Sequence, residues 1–351
     1  MRLGVLTGGG DAPGTNAVIR ALTQALAQGQ GTEVLGIEDG FLGLMERRTT
    51  PLNWPLVHGL LGQGGTFLGS SNRATPLNHE GSDRRRQVLD YAQELGLDGL
   101  VVIGGDGTLS IAAAMHSFGL PCIGVPKTID NDIYGVERSF GFDTAVARAT
   151  EAIERVQTSA QSMRRVMLVE TMGRNAGWIA LESGLASGAD IILLPEIDFD
   201  LQAVVKTCRT REAAQRFTMI CVAEGAKPRG GQTVTRAWIE DSPEPQRLGG
   251  IAALLAQQLQ PQLRSEVRAV TLGHVQRGGS PTATDRVLGT HYGTAAALLV
   301  RDNAWSEMVT WTHGRIGRAP LASVAGRSRP VASDEPLLQC ARALAVSLGQ
   351  D

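Results

Sequence analysis

The chain has 351 residues, 42% of them hydrophobic, with 33 Lys and Arg against 35 Asp and Glu. At roughly 150 residues per domain this predicts two domains, with cores large enough to need no disulfide or metal staples. A net charge of -2 excludes a bulk basic field for nucleic acid or an anionic membrane, but leaves room for a local anion site.

No apolar run approaches the roughly 18 residues of a membrane helix, and Gly8, Gly9, Gly10 and Asp11 interrupt the first apolar stretch, so a secretory signal is not expected. Cys122, Cys208, Cys221 and Cys340 are far apart and form no CxxC pair. That spacing argues against a disulfide framework or a structural zinc and fits a reducing cytoplasm. Glycine is over-used, 43 of 351 or about 12% against a usual share of roughly 7%. Many of these glycines directly follow short apolar runs, where a backbone can turn sharply or approach a ligand.

In chain order, apolar runs rich in β-branched residues predict strands at 3–6, 100–103, 122–125, 166–169, 191–194, 219–223 and 267–272. Helices are predicted over 17–27, 84–95, 145–158 and 248–259, where apolar residues recur at three and four. Segments 227–244 and 315–334 read as exposed excursions, and 335–348 as a terminal helix against the smaller domain. Strands alternating with helices imply an α/β chain with mostly parallel sheets covered on both faces. With the length, this predicts two Rossmann-like three-layer domains and an active site in the cleft between them. Ligands in such folds bind beyond the carboxyl ends of the strands, and each run here is followed there by glycine, charged or polar residues.

The first such loop, 8–14, has backbone N–H groups able to cradle a phosphate, although alone it matches neither GxGxxG nor GxxxxGK[ST] and reads equally as a structural turn. Gly104 to Thr108, Gly-Gly-Asp-Gly-Thr, is more informative. Its glycines allow close approach to a nucleotide while Asp106 reaches a phosphate-bound Mg²⁺. NAD kinases and diacylglycerol kinases carry the same string, so it indicates a kinase without saying which. Thr128-Ile-Asp-Asn-Asp132 places two carboxylates beside Lys127, which suits phosphoryl transfer to an alcohol: a carboxylate takes the proton and a cation holds the transferring oxygens. Arg164, Arg165, Arg174, Arg268, His274 and Arg277 recur at strand ends and together suggest a phosphate-ester site. Glu224, directly after its strand, reads equally as an acceptor from sugar hydroxyls and as a structural partner.

The strings at 8–16 (GGGDAPGTN), 64–71 (GGTFLGSS), 104–108 (GGDGT), 126–132 (PKTIDND), 172–177 (MGRNAG) and 273–281 (GHVQRGGSP) closely resemble the 6-phosphofructokinases. The resemblance runs in order from residue 4 to about 290 and implies a glycolytic transferase. MgATP would phosphorylate the 1-hydroxyl of fructose 6-phosphate to give fructose 1,6-bisphosphate. Carried over by position, Asp130 would be the proton acceptor, with Lys127, Arg73 and Arg174 stabilising charge, and Asp106 the Mg²⁺ ligand. Gly10, Arg73, Gly105, Asp106, Gly107 and Thr108 would contact the nucleotide. Thr128, Ile129, Asp130, Met172, Gly173, Arg174, Glu224, His274 and Arg277 would form the sugar-phosphate site. Arg165 and Arg268 would complete the neighbouring site of a homodimer or homotetramer.

Residues 1–141 with about 275–325 would form the nucleotide domain, and 142–274 with about 326–351 the sugar-phosphate domain. Gly107 leaves space for the α-phosphate of ATP where pyrophosphate users usually carry Asp. Lys127 instead matches the pyrophosphate users, and the pair resembles a mixed subgroup of mostly ATP users. Gln24 and Trp54 stand where the regulated enzymes usually have arginine, with Arg20 retained, so little ADP activation or phosphoenolpyruvate inhibition is expected. The alternatives are a pyrophosphate-dependent enzyme and a silent sugar-phosphate sensor, with a nucleotide-binding oxidoreductase more distant.

Overall fold

The computed structural model describes residues 1–28, 31–72, 74–238 and 246–350. The first sheet opens with β1 (Arg2–Thr7), β2 (Glu33–Ile37), β3 (Thr49–Leu52), β4 (Gly99–Gly104), β5 (Cys122–Thr128) and the two-residue β6 (Phe140–Gly141). The second takes β7 (Val166–Thr171), β8 (Ile191–Leu193), β9 (Thr218–Ala223) and, after the hairpin β10 (Thr235–Trp238) and β11 (Gln246–Leu248), β12 (Val267–Thr271). The chain then returns to the first sheet with β13 (Glu307–Thr312) and β14 (Arg315–Pro320). The strand orders are β14-β13-β5-β4-β1-β2-β3, with β6 beside β5, and β12-β7-β9-β8. All pairs within the two sheets are parallel except β2–β3 and β13–β14 at the two edges of the first.

The helices are α1 (Thr15–Ala27), α2 (Phe41–Glu46), α3 (Trp54–Val57), α4 (Arg85–Glu94), α5 (Asp106–Ser117), α6 (Phe142–Met163), α7 (Trp178–Ala186), α8 (Leu201–Ala213), α9 (Ile251–Leu259), α10 (Ala283–Arg301) and α11 (Pro336–Ala343). Successive strand residues point to opposite faces, and each sheet accordingly has a core on both sides. Leu3, Val5, Val101 and Ile103 pack under α1 and α10, while Leu6, Leu100 and Val102 face the side of α4 and α5. In the second sheet Met167, Val169 and Ile192 face α6 and α7, and Val166, Leu168 and Ile191 face α8 and α9. The α1–α10 contact depends on two glycines: a Cβ at Gly289 would lie 2.8 Å from the Gly14 carbonyl oxygen, and one at Gly293 2.5 Å from that of Val18.

The two three-layer units agree with the α/β reading, and each predicted strand coincides with an observed one to within three residues. Other elements differ. Residues 315–320 are the edge strand β14 rather than an excursion, because β13 offers them an antiparallel partner. Leu248 belongs to β11, and α9 starts only at Ile251 after the left-handed Gly250 (φ 96°). The predicted 145–158 helix runs from Phe142 to Met163. The terminal helix stops at Ala343, after which Ser347 adds a parallel bridge beside β8 at Ile191. Leu338, Ala341 and Leu348 enter the core of the second sheet, so the tail does pack on that unit. In 227–244, the described strand β10 is exposed along its length, as read.

Candidate active site

The first wall of the cleft grows from the carboxyl ends of β1 and β4. Gly8 donates its N–H to the Ile103 carbonyl (2.9 Å), and a Cβ there would lie 2.6 Å from Thr108 Cγ2, so only glycine lets the two loops meet. A Cβ at Gly10 would come within 3.0 Å of Arg277 Nη1. β4 runs through Gly104 and Gly105 straight into α5, whose first residue is Asp106. The unpaired N–H groups of a helix start favour an anion. A Cβ at Gly107 would meet nothing within 4 Å, which leaves an open side over that helix start.

β5 supplies the next wall. Lys127 is 3% exposed and donates from Nζ to the Gly10 carbonyl. Burial, then the charges of Arg277 and Arg174, pull its ammonium down to about 7, against the opposing pull of Asp11 and Asp130. Asp130 is also 3% exposed; its N–H donates to Thr128 Oγ1 (3.0 Å), while its carboxylate Oδ1 is buried with no hydrogen-bond partner. Arg174 Nε stands 3.9 Å from Asp130 Oδ2. Burial, reinforced by Asp130 and Asp106, pushes the Asp132 carboxyl up. The resulting cleft encloses about 830 Å³ open to solvent, lined by three acids, Asp106, Asp130 and Asp132, and four cations, Lys127, Arg174, Arg247 and Arg277.

The opposite wall comes from β7, β9 and the turn after β12. Gly173 (φ 136°) and Arg174 (φ 52°) form a left-handed pair. The Arg174 N–H donates to Glu224 Oε1 (3.0 Å), and a Cβ at Gly225 would overlap the Arg174 carbonyl at 2.0 Å. Burial raises the Glu224 carboxyl to about 7, partly offset by that hydrogen bond. Arg277, 9% exposed, donates to the Asp11 carbonyl (2.8 Å) and so ties the second unit's turn to the first glycine loop.

Of the residues read from sequence, Gly10, Gly105 to Thr108, Lys127, Thr128, Asp130, Arg174 and Arg277 line this one cleft. Met172, Gly173, Glu224 and the exposed His274 flank it without lining it. Ile129 is a correction: its side chain is fully buried in the second sheet's core, where an apolar residue loses more by leaving than it gains by touching a sugar. Arg73 lies outside the described residues. Arg165 precedes β7 and Arg268 is second in β12, so both sit at the amino ends of their strands, paired with Glu266. At roughly 3.3 Å per residue, Arg165 lies about 20 Å and Arg268 about 10 Å short of the carboxyl ends of their strands, where the cleft of their own chain begins.

Phe41, Asn72 and Arg247 also line the cleft and were not singled out from sequence. Phe41 follows β2 through Gly40 (φ 68°), a strand-plus-glycine signal hidden because β2 is short and itself contains glycine. Asn72 follows the 64–71 string directly. Arg247 arrives on the exposed hairpin, which no periodicity marks.

The acids fit a Mg²⁺ carried in by a polyphosphate. Among the described residues no group of three or more His, Cys, Asp or Glu is preassembled for a metal. Mg²⁺ normally takes one or two carboxylates plus phosphate oxygens and water. Asp106, at the helix start and lining the cleft, matches that partial donor set.

Comparison with known proteins agrees with this geometry. The phosphofructokinase family model matches residues 2–300. The chain is 46% identical, over 100% of its length and 98% of the relative's, to an ATP-dependent 6-phosphofructokinase of Chloroflexus aurantiacus. It is also 46% identical, over 94% and 96%, to a pyrophosphate–fructose 6-phosphate 1-phosphotransferase of Streptomyces coelicolor. A solved phosphofructokinase of Saccharomyces cerevisiae superposes with a TM-score of 0.81 at 30% identity, over 92% of this chain and 45% of the yeast one.

Proposed function

This chain belongs to the phosphofructokinase family, and on that premise we propose that it transfers the terminal phosphoryl of MgATP to the 1-hydroxyl of fructose 6-phosphate, giving fructose 1,6-bisphosphate and ADP. The observation that carries this reading is the buried, unpartnered Oδ1 of Asp130 in one cleft with the glycine-framed helix start at Asp106.

Asp130 accepts the hydroxyl proton as the sugar oxygen attacks; an orphaned carboxylate oxygen in a cleft is poised to take a hydrogen bond that only the acceptor supplies. Lys127 and Arg174 stabilise charge on the transferring oxygens from opposite walls, and as fixed groups they need little reorganisation when that charge develops. The Gly10 and Gly105 to Thr108 backbone, with Arg73, would hold the donor, and Asp106 would hold its Mg²⁺. Bound with the donor, Mg²⁺ supplies charge neutralisation of the phosphates. Thr128 and Arg277 in the cleft, with the flanking Met172, Gly173, Glu224 and His274, would orient the sugar phosphate. Residues 1–141 with about 275–325 form the nucleotide unit, and 142–274 with about 326–351 the sugar-phosphate unit.

Arg165 and Arg268 serve the neighbouring site of a homodimer or homotetramer. Supporting this, both lie at the far end of their strands and share one Glu266, leaving net positive charge on that surface. A cytoplasmic location fits the buried thiols Cys122, Cys208 and Cys221. No helix among the described residues is long and apolar enough to cross a membrane.

One observation favours a second reading, pyrophosphate as donor. Lys127 is buried beside the donor loop, and a relative named for pyrophosphate is as similar as the ATP-dependent ones. The open side at Gly107 favours ATP. Replacing Asp130→Asn tests the chemistry: kcat should fall roughly 10²- to 10⁴-fold while fructose 6-phosphate binding is retained. An unchanged kcat removes Asp130 from the proton-accepting role.

A further inference from the structure

The loop that carries Asp130 continues through Asn131, which holds a left-handed backbone at φ 55° despite having a side chain. Within the loop, Asn131 Nδ2 donates to the Glu137 carbonyl (3.1 Å) and its Oδ1 accepts from the Ser139 N–H (2.9 Å). Asp130 has no comparable anchor. Oδ1 lacks a partner, and Arg174 stands 3.9 Å from Oδ2, so the aim of the carboxylate is set by the backbone on either side of it.

That backbone is gripped by a segment about 200 residues further along the chain. The Arg329 N–H donates to the Asp132 carbonyl (2.7 Å), and Arg329 Nη1 donates to the Asn131 carbonyl (2.9 Å). Ser328 forms an antiparallel bridge with Ile133, and the Arg327 guanidinium lies 3.3 Å over the Tyr134 ring. The same segment is fastened to the other wall of the cleft. The Arg329 guanidinium stacks 4.0 Å over Trp178, whose indole N–H donates back to the Arg329 carbonyl (2.9 Å). Glu196 Oε1 accepts from both Val331 N–H (2.8 Å) and Gly177 N–H (2.9 Å). Trp178 opens α7 directly after the 172–177 turn that bears Arg174.

The geometry points to Arg329 as a positioning residue: residues 327–331 form a strap that sets the distance and angle between Asp130 on one unit and Arg174 on the other. The inference rests on the phosphoryl-transfer reading above. Arg329 does not line the cleft and touches no substrate; it acts by fixing two carbonyls of the Asp130 loop and one tryptophan of the Arg174 side. The guanidinium suits this because its planar fork can donate to a carbonyl while its face covers a ring, which an ammonium does less well.

The test compares Arg329→Met, which keeps the apolar bulk, with Arg329→Lys and Trp178→Phe. Steady-state rates and melting curves are measured beside the unaltered enzyme with ATP and fructose 6-phosphate. Displacing a catalytic group by about 1 Å can cost roughly 10²-fold. Arg329→Met should therefore lower kcat about 10- to 100-fold, with both KM values within about threefold. Arg329→Lys should recover part of that loss, and Trp178→Phe should show a smaller fall of the same kind. A variant that melts earlier but turns over at the parent rate would overturn the inference, as would KM values rising in step with the fall in kcat. If Arg329→Met does not fold, Trp178→Phe decides by the same split. An inactive parent enzyme would instead overturn the phosphoryl-transfer reading itself.

Discussion

Lys127 combines a place in the cleft with a strongly perturbed charge, and on the role proposed for it the two together predict a pH dependence. Its ammonium is held down to about 7 in the free enzyme, chiefly by burial and by Arg277. Above that pH most of the lysines are neutral and offer a phosphate no charge. A bound phosphoryl group reverses the balance, because an anion beside the ammonium favours the charged form. The value of kcat/KM, which reports the free enzyme, should therefore fall as pH rises through about 7, whereas kcat should hold to higher pH. Lys127→Met should lose roughly 10²-fold in kcat and flatten that limb; profiles recorded from pH 6 to 9 check both, and an unchanged limb in the variant would assign it to another group.

At this scale a place in the cleft was legible where motif and residue type coincide, as at Asp106, Lys127 and Asp130. Ile129 shows the limit, because motif membership does not say which way a side chain points. Phe41 and Arg247 were hidden because their places in the cleft depend on strands with weak local signals.

Among the elements, the starts of α6 and α10 converge on one buried carboxylate. Asp285 Oδ2 accepts from both the N–H and the hydroxyl of Thr144 (2.8 and 2.5 Å). Burial nonetheless raises its carboxyl to about 6 from an ordinary value of 3.8. The folded state then binds the proton more tightly than the unfolded chain, so this group's contribution to stability is full below about pH 4 and is lost as pH rises through about 6. Urea unfolding midpoints at pH 4, 5, 6 and 7 should show Asp285→Asn flattening the slope in that window. A slope unchanged by the substitution would place the dependence elsewhere.

Parallel β2 and β13, broken by Gly36 and by Thr310, escaped the sequence reading, but β1, β4, β5, β7, β8 and β9 were readable because they are buried on two faces and appear as continuous apolar runs. The edge strands β3 and β14 were not. One contains Pro51 and the other, Arg-Ile-Gly-Arg-Ala-Pro, has two charges, a glycine and a proline in six residues, so their strand state comes from the antiparallel neighbour rather than from local pattern. Helix ends moved for a related reason, since Gly141 (φ 95°) and Gly250 (φ 96°) start α6 and α9 where composition alone shows no boundary.

For the whole molecule, the role proposed for the remote pair Arg165 and Arg268 would make an oligomer part of the site. Arg165→Ala should raise the fructose 6-phosphate KM at least about tenfold, since a charge-assisted contact to phosphate is lost. Subunits carrying Arg165→Ala still have Asp130, and subunits carrying Asp130→Asn still have Arg165. Co-refolding the two should regain activity above either alone, because some hybrid sites then contain both groups. No gain on mixing would contradict sharing between subunits. Such sharing was suggested by the resemblance and could not be read from spacing, because a strand's two ends belong to different sites only once chains assemble. On another face Arg20 stacks 4.9 Å over Trp54 and donates to the His58 carbonyl (3.2 Å).

The central claim concerns donor and acceptor together. Initial rates of fructose 1,6-bisphosphate formation, with Mg²⁺ and fructose 6-phosphate and with ATP or pyrophosphate over a range of concentrations, test it most directly. The open side at Gly107 predicts turnover with ATP, Lys127 being tolerated. Turnover with pyrophosphate alone would contradict that account and give Lys127 the deciding role.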